Sequence, residues 1–123
     1  MKTSMDCLHA YDSLTSEIVS NEVEFLSETL GNLRDSGEIS NDAYLEAGGI
    51  QGGLSLIASL IDQEVSDDEI QMQLDQLITR ALRISTNYPE MDEKIENYRS
   101  LYYPSITIRI LINGHSARLM CLK

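Results

Sequence analysis

The sequence predicts a mainly α domain: a four-helix bundle-like arrangement ending in a C-terminal β-hairpin, with an all-α fold as the alternative. Three observations carry this. Apolar residues recur at helical spacing through most of the chain before Pro104. Cap and stop residues cut that pattern into four segments. After Pro104 the period falls to two and an Asn-Gly pair follows.

The first segment begins at Met5. Leu8, Tyr11, Leu14, Ile18, Phe25, Leu26, Leu30 and Leu33 keep helical spacing, Ser4 stands as a cap, and Asp35-Ser36-Gly37 is a stop signal. A single helix is expected there, bent near Ser20-Asn21. Ser40 then precedes Asn41 and Asp42 at the start of a second helix carrying Tyr44, Leu45, Ile50, Leu54, Ile57, Leu60 and Ile61. Its centre, Ala47-Gly48-Gly49-Ile50-Gln51-Gly52-Gly53, holds glycines that each cost about 1 kcal/mol of helix stability relative to alanine. The apolar spacing stays in phase across them. This favours a continuous helix, whose i,i+4 pairs Gly48/Gly52 and Gly49/Gly53 admit a close neighbour, over a loop dividing two shorter helices.

Ser66-Asp67-Asp68-Glu69 is a capping box, in which the serine accepts from the Glu69 N–H, the glutamate reaches back, and Asp67 and Asp68 suit the positive helix end. Ile70, Leu74, Leu77, Ile78, Ala81 and Leu82 form the stripe of this third helix, with Arg80 and Arg83 placed in its last turns. Pro89 suits the first turn of a fourth helix, where Met91, Ile95, Tyr98 and Tyr102 repeat until Pro104 stops it. Beyond it, Ile106, Ile108, Ile110 and Ile112 alternate with Thr107, Arg109 and Leu111 up to Asn113-Gly114. That pair accepts the positive φ of a type I′ turn, so residues 115–122 are the expected return strand. Such a hairpin must pack on the helices or pair with another chain.

A chain of 123 residues suits one domain, residues 1–123, because a core of ordinary size needs roughly 100 to 150 residues. Its net charge is −11, distributed unevenly. Residues 6–79 carry sixteen carboxylates and one cation, Arg34, whereas residues 97–123 carry four cations and no carboxylate. Such a chain repels free nucleic acid and attracts a cationic surface. No segment at the start has the apolar run of a leader, and 54–61 is too short to span a bilayer, so a cytoplasmic protein with no membrane partner is expected. Cys7 and Cys121 are expected to be reduced in such a protein.

The residues for chemistry are sparse. His9 and His115 stand outside any nucleophile or zinc motif, and Cys7 and His9, two apart on a helix, point to different faces. The glycine cluster lacks the Lys-Ser or preceding strand of a phosphate-cradling loop. No catalytic residue, metal or cofactor is expected, and the chain does not read as an enzyme.

Two local resemblances bear on function. The Arg109-to-His115 spacing resembles the ribonuclease-like helical-bundle family called HEPN, which would imply a nuclease. Ile110 stands where that family has a polar residue, and Asn113-Gly114 interrupts the helix its motif needs, which sets that implication aside. Leu101-Tyr102-Tyr103-Pro104-Ser105, behind an acidic helical segment, is similar to the Tyr-Tyr-Pro segment of small acidic immunity proteins of the colicin nuclease family. That resemblance implies aromatic anchors gripping a toxin.

The functional expectation is therefore a small acidic binding protein, a stoichiometric inhibitor or neutraliser of a basic protein. That class covers immunity proteins, antitoxins and phage-encoded anti-defence inhibitors, including nucleic-acid mimics. The partner would be a nuclease or another nucleic-acid-binding effector. Glu17, Glu24, Glu28, Asp67, Asp68 and Asp75 are the candidate binding acids, expected on one continuous negative face. Tyr103 is the candidate anchor, and Tyr98 and Tyr102 are expected in the core. The alternative is a structural or assembly protein, a homodimer joined through its glycine strip or hairpin edge.

Overall fold

A computed structural model describes residues 1–9 and 14–102. Among these the chain is helical: α1 (Lys2–His9), α2 (Ser16–Asp35), α3 (Asn41–Asp62), α4 (Asp67–Asn87) and α5 (Met91–Tyr102). The hairpin expected over 106–122 and the candidate anchor Tyr103 lie outside the described residues.

Among the described residues five helices replace the four expected, because the first segment holds two. Thr15 is extended, at φ −109° and ψ 158°, and its side-chain oxygen accepts from the Ile18 N–H at 3.2 Å. This satisfies one of the free donors of a new helix start, so α2 begins there. The bend expected at Ser20-Asn21 is absent, and α2 runs through it. Ser4, expected as a cap, is buried inside α1.

Ser40 and Ser66 cap as expected, their hydroxyls accepting from Ala43 N–H at 3.1 Å and Glu69 N–H at 3.3 Å. The capping box is only half formed, since the Glu69 carboxylate accepts from Gln73 Nε2 at 3.2 Å instead. Arg80 and Arg83 are not in a last turn, because α4 continues to Asn87. Pro89 lies in the turn before α5 rather than inside it.

The two long turns share one closure. At the end of α2, Gly37 adopts φ +78°, its N–H donates to Arg34 O at 3.0 Å, and the Glu38 N–H donates to Leu33 O at 2.9 Å. This is the Schellman pattern, which uses carbonyls left over by the helix. At the end of α3 the same pair of bonds runs from Glu64 to Ile61 O at 3.0 Å and from Val65 to Leu60 O at 3.2 Å. There the residue at φ +60° is Glu64, not a glycine.

Packing closes a ring: α2 lies on α3, α3 on α4, α4 on α1, and α5 against both α1 and α2. Leu26, Leu30, Ile50, Leu54, Leu74 and Ile95 fill its interior, each contributing roughly 1.5–3 kcal/mol by leaving water. The glycine segment is helical, as the apolar phase requires. Only one of its two pairs is a close contact. A Cβ at Gly53 would lie 2.4 Å from Leu77 Cδ2 and one at Gly49 2.6 Å from Arg80 Nη2, whereas Gly48 and Gly52 face open space.

Candidate partner-binding surface

Glu17, Glu24 and Glu28 project from α2, and Asp67, Asp68 and Asp75 from α4; all six are exposed. The acids thus stand on two helices, each of which packs on α3. Asp75 accepts from Gln71 Nε2 at 3.0 Å and lies 3.6 Å from His9 Nε2. Among the described residues, Glu17, Glu24, Asp67 and Asp68 have no cation in ion-pair contact. Their potential therefore reaches solvent, where it is felt over roughly a Debye length of 8–10 Å at physiological salt.

Two cations are likewise unpaired among the described residues, Arg80 and Arg83 on α4. Arg34 is engaged, its guanidinium 3.0 Å from Asp35 Oδ1 and 4.2 Å from the centre of the Tyr44 ring. Among the described residues no group of three or more His, Cys, Asp or Glu is placed to hold a metal ion. Cys7 is buried while the His9 side chain is half-exposed, so the two face different surroundings.

A polar knot that sequence reasoning missed joins α1, α2 and α5. The side chain of Arg99 is buried at the centre of it. Its Nη2 donates to Glu22 Oε1 at 2.7 Å and Ser4 Oγ at 3.1 Å, its Nη1 to Glu22 Oε2 at 3.3 Å, and its Nε to Glu96 Oε1 at 2.9 Å. The guanidinium carbon also lies 4.0 Å over the Phe25 ring. Burial alone would lower the Arg99 pKa, but hydrogen bonds and charge from Glu22 and Glu96 outweigh it and hold it above its ordinary value. Beside this knot the Met1 amine donates to Asp92 Oδ1, and Ser85 Oγ donates to Asp92 Oδ2 at 2.7 Å. Tyr98 is half-buried against Phe25 and accepts from Asn32 Nδ2 at 2.6 Å, so it packs on the core as expected. These groups are consumed in holding helices together.

Two further surface features among the described residues bear on binding. The outer side of α3 carries Leu45 at 63% exposure and Leu56 at 52%, with Gly48 and Gly52 between them. Residues 47–61 of that helix contain no charged side chain. The second feature is a cleft of about 270 Å³ where the α2–α3 and α4–α5 turns meet, floored by Ile39, Ala43 and Met91 and flanked by Glu38, Tyr88 and Glu90. Burial raises the Tyr88 phenol pKa above its ordinary value, and the charges of Glu46 and Asp42 raise it further.

No protein-family model, curated protein or solved structure matches the chain at a significant level. Among the described residues no helix is long and apolar enough to cross a membrane.

Proposed function

We propose that this protein is a non-catalytic acidic binder that neutralises a basic protein partner by covering its cationic surface, one copy to one. The observation that supports this most is that Glu17 and Glu24 on α2 and Asp67 and Asp68 on α4 are exposed and, among the described residues, have no cation in ion-pair contact, in a chain of net charge −11. Complementary fields of this kind accelerate encounter and select partners by sign. A nuclease or other nucleic-acid-binding effector of the cytoplasm fits, since its own groove is built to accept phosphates. An immunity protein, an antitoxin or a phage-encoded anti-defence inhibitor would fit this role.

Capture from an extract of the source cell at low salt, followed by salt elution and identification, tests the reading. A basic protein is expected, and one molar equivalent should abolish its activity. Retention of no basic protein, or activity unaltered at equivalence, would reject the reading.

A second reading rests on the α3 surface. Leu45, Gly48, Gly52 and Leu56 form an uncharged, low-relief strip that suits self-association in a structural or assembly role. Apolar self-association persists at high salt, whereas a charge-steered complex weakens. Light scattering across ionic strength separates the two.

A further inference from the structure

We propose that the cleft between the α2–α3 and α4–α5 turns receives one lysine or arginine side chain of the basic partner. This rests on the reading above and specifies where the partner is gripped. The size comes first. About 270 Å³ falls below the ~300 Å³ at which small-molecule sites begin, and suits a single inserted side chain.

The lining sets its chemistry. Ile39, Ala43 and Met91 are buried and give an apolar floor. A lysine or arginine stem lies along such a floor while its charged head stays at a polar rim. The rim here is anionic, with exposed Glu38 and Glu90 on opposite turns. Ser36 Oγ donates to Glu38 Oε2 at 2.8 Å and orients that carboxylate. Tyr88 lines the same cleft and offers an aromatic group of the kind that attracts a cation. Asp42 and Glu46 act on Tyr88 from α3 and deepen the negative potential. One cation of the chain already stands near. Lys94 Nζ donates to the Glu38 backbone carbonyl and lies 3.8 Å from Glu90 Oε2, so it offsets part of the charge at the rim. The carboxylates Glu38, Asp42, Glu46 and Glu90 outnumber it, so an incoming cation is favoured over an incoming anion.

The test uses the full chain and three probes, Nα-acetyl-lysine N-methylamide, its arginine analogue and its norleucine analogue, followed by amide NMR shifts. The cationic probes should shift Ile39, Ala43, Tyr88 and Met91 saturably, and norleucine should bind at least threefold more weakly. The exposed-residue variant E38Q/E90Q should weaken the cationic probes at least threefold with its helical circular dichroism unchanged. With the captured partner, the same variant should dissociate faster than the unaltered chain. Equal binding of norleucine overturns the proposal, as do shifts spread evenly over α2 and α4, or partner dissociation insensitive to E38Q/E90Q. Any of these with a basic partner still captured leaves the broader reading standing. Failure to capture a basic protein removes that reading instead.

Discussion

The Arg99 guanidinium holds the Glu22 carboxylate through two hydrogen bonds, Nη2 to Oε1 at 2.7 Å and Nη1 to Oε2 at 3.3 Å, tying α5 to α2 across 77 positions of sequence. Both side chains are nearly sealed from water, at 3% and 4% exposure. Desolvating two charges is costly, and the pair is tolerated because each partner and the Glu96 and Ser4 oxygens satisfy the other's hydrogen bonds. Removing one member should therefore hurt far more than removing both. Arg99→Met is expected to lower the unfolding free energy by about 3–5 kcal/mol, and Arg99→Met with Glu22→Leu to recover more than half of that loss. Urea denaturation checks both. Equal destabilisation by the single and double variants would show that the pair itself does not set the cost.

The four glycines of α3 should respond differently to alanine. At Gly48 and Gly52, which face open space, alanine should stabilise by about 0.5–1 kcal/mol through helix propensity. At Gly53 the new methyl would meet Cδ2, Cδ1 and Cγ of buried Leu77, and a loss of about 1–3 kcal/mol is expected. Gly49→Ala should be near neutral, because the obstacle is the movable end of the exposed Arg80 side chain. Thermal unfolding of the four single variants gives the order, and uniform destabilisation would contradict it.

Much of this was readable because it is local. Ser40 and Ser66 announce helix starts within three residues, and the in-phase apolar positions around the glycines identify α3 as continuous. The break before α2 was hidden by the same phase, since Leu8, Tyr11, Leu14 and Ile18 keep helical spacing across it. Arg80 and Arg83 imitated an end signal although Ile84 carries the buried stripe onward. Glu22 sits in step with Val19, Phe25, Leu26 and Thr29, so its inward position was legible. Its charge argued for the surface, and its partner Arg99 lies on another helix. Pairings of that kind follow from tertiary packing. The six candidate acids are all exposed, as their types suggest.

Glu64 occupies the left-handed position that closes α3, at φ +60°. Glycine reaches that region without the Cβ clash, so Glu64→Gly should raise stability by about 0.5–1 kcal/mol. The gain should be read as a higher urea midpoint with an unchanged slope. A fall in the midpoint would mean that the Glu64 side chain matters more than its backbone.

Thr29 is fully buried in α2, and among the described residues its hydroxyl has no hydrogen-bond partner. An unsatisfied buried hydroxyl costs about 1–3 kcal/mol, so the near-isosteric Thr29→Val should stabilise by roughly 1 kcal/mol. Calorimetry would reveal it as a raised Tm. A lowered Tm would point to a hydrogen bond made through a bound water.

The measurement that bears most directly on the proposed function is the association rate of the captured basic partner, followed by stopped flow from low to high salt. The comparison is between the unaltered chain and Glu17→Lys/Glu24→Lys/Asp67→Lys, whose three positions are exposed and outside any ion pair among the described residues. Steering by these acids predicts that the triple variant associates about tenfold or more slowly at low salt and that the gap closes as salt rises, while the loss of the first-turn acids Glu17 and Asp67 lowers the unfolding free energy by about 1–2 kcal/mol and leaves the protein folded. An association rate that is the same for both proteins at low salt would contradict the account.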